Sequence, residues 1–444
     1  MKTRISILIV LFITTLTYAQ EKKWTLKECV EHALENNLRV KQNEYLVESS
    51  REDVVSAKGN FLPDLGASAS SRINSGLSQD QDGVLKNTNN FTSSFNLSSS
   101  GVIFNGFRNL NTSKQAALGV ESSKMDLQKM KDDISLNIIN AYLNILFARE
   151  NLNVANTQLE ISNQQVEVAQ AQFDAGVKPK GDLLNAQSTV ATDAQNVVTL
   201  ENTLDLALLN LAQLLQVSPE GFDVTDIDVG TPSASLLYDN ANVVFEKAIN
   251  NRPEIERAKL DVENSELAIQ IAKGAYTPTL SYSLGVGTSY FHQFNNLLPN
   301  QSNSNFFQQF NDRFQKGVGL SLNIPIFNRL QTKASVNKAI INQKLSELEL
   351  ENQKLQLRQT IEQAYLDAKA AAKSFESARI SLDAQNESFK NAQESYNLGA
   401  MTSFDFEQVR NRLVNAEATL IRAKYDYVFK TKVLKFYYGE PILD

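Results

Sequence analysis

The chain has 444 residues, 42% of them hydrophobic and 21% charged, with a net charge of −7, 2 His, 1 Cys, 9 Pro and 18 Gly. These numbers exclude a disordered chain, a disulfide framework, a multi-thiolate or His-rich metal site, and the basic face of a nucleic-acid binder. So little Pro and Gly leaves room for very long uninterrupted elements.

Residues 1–19 read as a signal peptide. Lys2 and Arg4 form the positive start, Ile5 to Leu16 the apolar stretch, and Thr17-Tyr18-Ala19 before Gln20 the cleavage site. Twelve apolar residues reach about 18 Å as a helix, short of the ~30 Å hydrocarbon core. Losing Lys2 and Arg4 takes the net charge from −7 to −9. Cys29 follows Lys27 and Glu28, where a lipoprotein signal needs small residues, so it is predicted to be a buried helix residue. No later stretch approaches 18 consecutive apolar residues, and any crossing of a membrane must be made by β-strands.

A helix is predicted from Thr25 to Gly59. Two strands follow, at about 64–74 and 91–104. In the first, Leu65, Ala67, Ala69 and Ile73 point one way and Ser68, Ser70, Arg72 and Asn74 the other. In the second, Phe91, Phe95, Leu97 and Ile103 oppose Thr92, Ser94, Asn96 and Ser98. A period of two with one oily and one polar face suits a stave between lipid and water, or a soluble hairpin on a core. Ser75 to Asn90 reads as a polar loop. A long helix at about 106–174 carries a heptad seam: Ile138, Ala141, Ile145, Ala148, Leu152, Ala155, Leu159, Ser162, Val166, Ala169, Phe173. After the turn Ala175-Gly176-Val177, a return helix runs from Asp182 to Leu215. Residues 217–240, with Pro219, Gly221, Gly230 and Pro232, read as a linker.

The pattern then recurs. Ala57-Lys58-Gly59 matches Ala272-Lys273-Gly274 at an offset of 215. Ile103-Phe104-Asn105, Ala141-Tyr142-Leu143, Gly176 and Asp182 match Ile326-Phe327-Asn328, Ala364-Tyr365-Leu366, Gly399 and Asp405 at 223. The jump of 8 places an insertion between Pro278 and Ile326. Residues 20–216 and 241–444 are thus predicted to be two copies of one design, helix, hairpin, long helix, helix. The second copy has strands at about 279–290 and 316–327, a long helix at about 329–398 and a turn at Leu398-Gly399-Ala400. The phenylalanines Phe291, Phe294, Phe306, Phe307 and Phe310 of the inserted loop suit a membrane interface or simple packing of that loop.

Four strands cannot close a membrane barrel, since the smallest single-chain barrels use 8, and open edges are not tolerated in lipid. Three copies give 12 strands and 12 helical columns. The predicted fold is a mixed α and β membrane protein, a trimeric 12-stranded β-barrel continuous with a long periplasmic α-helical barrel.

With Trp24-Thr25-Leu26 leading into Ala33-Leu34-x-x-Asn37, Phe61-Leu62-Pro63 and Tyr276-Thr277-Pro278 before the hairpins, and Phe173-x-x-Gly176 followed by Asp182-Leu183-Leu184, the mature chain resembles the TolC-like outer-membrane efflux protein family. Tyr396-x-x-Gly399 with Asp405-Phe406 repeats the last motif. The resemblance implies a homotrimeric exit duct in the outer membrane, extending into the periplasm and docking on a periplasmic adaptor and an inner-membrane transporter, with no cofactor. It implies that Ala175, Gly176, Val177, Leu398, Gly399 and Ala400 meet the adaptor, and that Tyr396, Asp405 and Asp182 lie at the periplasmic aperture. Gly at a helix end and Asp in a first turn are equally what termination and the helix dipole ask for. Met401 and Gln408 depart from the family pattern, which has an arginine link and a second Asp ring at these places. The exit duct of a type I protein secretion system and a soluble periplasmic helical scaffold are the alternatives. No catalytic constellation is visible, and Met125 and Met130 read as core.

Overall fold

The helix predicted from Thr25 to Gly59 is two helices, α1 (Leu26–Asn36) and α2 (Leu38–Gly59). Thr25 starts α1 with a capping box: its backbone N–H donates to Glu28 at 2.9 Å, and its hydroxyl accepts from the Glu28 N–H at 3.2 Å. Asn37 causes the break. Its backbone is extended, its N–H closes α1 on the Ala33 carbonyl, and its side chain accepts from the Arg39 N–H at 2.9 Å to begin α2. Local capping by one Asn outweighs a helical pattern that runs through it.

The computed structural model describes residues 23–79, 85–227, 238–294 and 304–440. The signal segment 1–19 and the linker residues Gly230 and Pro232 lie outside them. After α2 come β2 (Gly66–Gln79), β3 (Leu85–Phe104), α3 (Arg108–Asp174) and α4 (Lys180–Leu215). The second half runs α5 (Ala241–Asn251), α6 (Pro253–Gly274), β5 (Thr279–Gln293), a short α7 (Phe306–Asp312), β6 (Gln315–Asn323), α8 (Gln331–Asn397) and α9 (Ser403–Tyr438). Two-residue strands β1 (Lys23–Trp24) and β4 (Asp223–Val224) pair in parallel. The helices match in length between halves: α1 and α5 have 11 residues, α2 and α6 22, α3 and α8 67, α4 and α9 36. At 1.5 Å per residue each 67-residue helix is about 100 Å long. Arg252 sits where Asn37 does, extended because Pro253 follows it.

The chain divides into two compact units. One spans Met1–Glu44, Met125–Glu256 and Asn352–Asp444, and the regular elements among its described residues are helices apart from β1 and β4. Its core gathers Cys29, Val40, Ile138, Tyr142, Ile145, Leu211, Leu215 and Val224, each at most 1% exposed. The seam residues of α3 from Ile138 to Phe173, and those 223 positions on in α8 from Ile361 to Tyr396, are all buried or half-buried. The frequent Ala there lets helices approach closely. Polar ties cross this core: the Tyr142 hydroxyl donates to the Trp24 and Thr225 carbonyls at 3.1 and 2.6 Å, and Arg149 holds Asp223 and Asp226. They secure the β1–β4 pair, which turns part of the 217–240 linker into structure. Two strand residues are too few to show a period, so neither strand is readable locally.

The other unit comprises Tyr45–Lys124 and Arg257–Glu351 and holds a four-stranded antiparallel sheet in the order β2-β3-β5-β6. The predicted strand limits need correction. β2 continues to Gln79 and β3 begins at Leu85, both inside the stretch read as the loop Ser75 to Asn90; there Ser75 pairs with Asn89, and Asn74 just before it with Asn90, their side chains bonded at 2.5 and 3.1 Å. Polar side chains hide the alternation while the backbone ladder persists. β6 stops at Asn323, short of 327, because Pro325 has no N–H for the ladder. Register puts Ala67, Ala69 and Ile73 of β2, Phe91, Phe95 and Leu97 of β3, Tyr282, Leu284 and Val286 of β5, and Val318, Leu320 and Leu322 of β6 on one face. Val318 is 81% exposed and Leu320 72%. β2 and β6 are both edges among the described residues.

Candidate functional site

The two turns between long and return helices are built alike. Gly176 has φ 70° and Gly399 φ 74°, the left-handed conformation that ends a helix. The Gly176 N–H donates to the Phe173 carbonyl at 2.9 Å and the Val177 N–H to Gln172 at 2.9 Å. The Gly399 N–H donates to Tyr396 at 3.0 Å and the Ala400 N–H to Ser395 at 2.9 Å. Both are Schellman motifs. A Cβ at either glycine would meet nothing within 4 Å, so only the backbone conformation selects glycine. Ala175, Gly176, Val177, Leu398, Gly399 and Ala400 are all exposed, and the apolar side chains of Val177 and Leu398 stand in the open.

Asp182 and Asp405 occupy equivalent places three residues after the caps Pro179 and Thr402, yet their surroundings differ. Pro179 offers no side-chain cap. Asp182 is half-buried, with the Lys178 ammonium 3.9 Å away. That ammonium also lies 5.0 Å from the centre of the Tyr396 ring. Tyr396 is buried and stacks on Phe406 at 4.8 Å, with Phe389, Ala392 and Met401 around the pair. Burial, and then the Asp182 carboxylate, push the Tyr396 phenol above its ordinary pKa. The structure thus brings Tyr396, Asp182 and Lys178 together and joins the two tips of one chain. Asp405 is not in this cluster. It is exposed, its N–H donates to the Thr402 hydroxyl at 3.2 Å, and its carboxylate accepts from that hydroxyl at 2.7 Å. Its local work is to begin α9.

One constellation was missed in the sequence. Arg410 of α9 is 4% exposed and donates to Asp193 of α4 at 2.7 Å, to the Ser162 hydroxyl of α3 at 2.8 Å and to Glu407 at 2.9 Å; Ser162 also bonds Asp193. Burial alone would lower the Arg410 pKa. The bonds and charges of Asp193 and Glu407 outweigh it, and the pKa is raised. The available signal was a charged residue in an apolar stripe, since Phe406, Arg410 and Leu413 follow helical spacing.

A family model for outer membrane efflux proteins matches residues 29–216 and 244–440. The outer membrane protein TolC of Salmonella enteritidis is 24% identical over 395 residues, 87% of this chain and 76% of that protein. Nodulation protein T of Rhizobium leguminosarum bv. trifolii is 23% identical over 422 residues, 93% of this chain and 85% of that protein. The crystal structure of the outer membrane protein VceC of Vibrio cholerae superposes with a TM-score of 0.77 at 15% identity, covering 94% of this chain and 96% of that one.

Proposed function

The chain belongs to the outer membrane efflux protein family, and on that premise we propose that three copies of it assemble into one exit duct, each giving four strands to a 12-stranded β-barrel and its helices to a periplasmic α-helical barrel. The protein is an outer-membrane efflux channel, a conduit rather than a catalyst.

The observation that carries the trimer is the sheet. Its four strands leave β2 and β6 unpaired on their outer sides while one face exposes Val318, Leu320 and Leu322. In lipid, unpaired edges are too costly to persist, so each β2 must meet a β6 from another copy. A soluble scaffold would leave that apolar face in water. The two tandem repeats supply matching staves and columns.

The exposed tips at Ala175 to Val177 and Leu398 to Ala400 are the docking points for a periplasmic adaptor, which couples the duct to an inner-membrane transporter. Tyr396, Asp182 and Lys178 tie the two tips of each subunit together beside the aperture. Asp405 presents three carboxylates per trimer, in a duct whose subunits each carry −9 after signal removal. Such a duct favours cations.

Mass measurement of the detergent-solubilised protein is expected to give three protomers; a stable monomer or dimer refutes the assembly. Arg at Leu284 or Leu320 is expected to cost about 2–4 kcal/mol in a bilayer, and Arg at Ser283 or Ser321 much less. Equal tolerance on both faces refutes the membrane placement.

A further inference from the structure

The insertion between β5 and β6 has no part in the duct as described. β6 pairs with β5 only as far as Gly287 with Gln315, yet β5 continues to Gln293. Beyond that point Gln309 of α7 stands in for a strand. Its amide accepts from the Phe291 N–H at 3.0 Å and donates to the Phe291 carbonyl at 2.9 Å and to Ser304 at 2.8 Å. Thr288 adds a bond from its hydroxyl to the Phe310 carbonyl at 2.7 Å. Gln309 is 5% exposed and Thr288 7%, so the helix is fastened by buried bonds.

Those bonds put α7 on a particular face. Phe95 pairs with Thr288 and Ser93 with Tyr290, so Phe95, Thr288 and Tyr290 share the apolar face. Phe306 lies 6.3 Å from Phe95 and 5.2 Å from Tyr290, and Phe310 6.1 Å from Phe95. Phe294, Phe307 and Phe314 stay 55%, 78% and 54% exposed. Exposed aromatic rings suit the boundary between hydrocarbon and head groups. Between α7 and the sheet lies an open apolar cavity of about 400 Å³, lined by Ala67, Ala69, Phe95, Leu97, Phe310 and Phe314. The two alanines of β2 give it depth. Val286, also in its wall, pairs with Lys316, which places an exposed lysine on the same face at the cavity's border.

We propose that this cavity seats an acyl chain of an anionic phospholipid, whose phosphate pairs with Lys316 while α7 lies at the level of the head groups. The site is continuous with the apolar face, its volume falls within the range of ligand cavities, and Lys316, paired with Val286 of its wall, complements the phosphate. The inference rests on the reading that the apolar face meets lipid.

The test uses the full-length protein in nanodiscs of phosphatidylglycerol with brominated acyl chains. Phe314→Trp reports on the cavity and Leu320→Trp on the sheet face, each against the background of Trp24, the single native tryptophan. Quenching of both is expected. If Leu320→Trp is quenched and Phe314→Trp is not, the lipid seat is wrong while the duct stands; if neither is quenched, both fall. Native mass spectrometry then compares retained phosphatidylglycerol and phosphatidylcholine. The wild type should keep several-fold more of the anionic lipid, Lys316→Gln should remove that preference, and Ala69→Phe should reduce retention of both. Equal retention of the two lipids by wild type and Lys316→Gln overturns the proposal.

Discussion

Replacing Arg410 by Met should be among the most damaging single changes in the helical unit. The guanidinium is 4% exposed and holds Asp193 and Glu407, whose side chains are 18% and 24% exposed. Removing it strands two carboxylates and leaves the Ser162 hydroxyl with one bond fewer. Breaking a buried ion pair from one side costs about 3–5 kcal/mol. The partial exposure of the two acids places the expected loss near the lower end, about 3 kcal/mol. Replacing all three groups together by apolar residues of similar volume, as Arg410→Met with Asp193→Leu and Glu407→Met, should recover most of it, because an apolar replacement of a buried ion cluster is often close to neutral. The assay is denaturant unfolding of the detergent-solubilised protein, comparing midpoints at unchanged slope. A loss within about 0.5 kcal/mol for Arg410→Met, the range of an ordinary surface change, would refute the reasoning. So would a triple variant no better than the single one, since that would assign the effect to lost packing alone.

Gly399→Val should cost about 1–2 kcal/mol through its left-handed backbone and impair adaptor binding in a pull-down without dissolving the trimer; Gly399→Asn should be milder, and normal binding by the Val variant would place the contact elsewhere. Asp405→Asn keeps a side chain able to serve the helix start, so folding should be unchanged while planar-bilayer recordings lose most of their block by a multivalent cation; unchanged block and selectivity would leave Asp405 only a helix-start residue. Burial raises the pKa of Glu417, against the lowering effect of its bond from Gln158 at 3.3 Å. An acid with a raised folded pKa binds its proton more tightly in the folded chain, so its ionisation opposes folding above that pKa and the opposition fades as pH falls. Glu417→Gln should therefore raise the melting temperature at neutral pH, with the difference shrinking toward about pH 4; a lower melting temperature at neutral pH would show that the carboxylate is needed charged.

What the sequence determined is whatever repeats along the chain. Heptad seams from Ile138 to Phe173 and from Ile361 to Tyr396, alternation around Phe91, Phe95 and Leu97, and glycines at 176 and 399 each act within a few residues, so their pattern survives in one dimension. Only the tertiary structure decided how distant residues meet. Ser75 and Asn89 looked like loop because a polar strand has no hydrophobic period, and the ladder between them shows only once the strands pair. Asp182 and Asp405 are equivalent by spacing, yet Lys178 and Tyr396 meet one and Thr402 holds the other. Arg410 reaches Ser162 and Asp193 across 248 and 217 positions, and Gln309 replaces a missing strand beside Phe291. Hydrogen bonds and ion pairs of this kind are chosen by proximity in space, after helices and sheet have packed, and no periodicity along the chain encodes them.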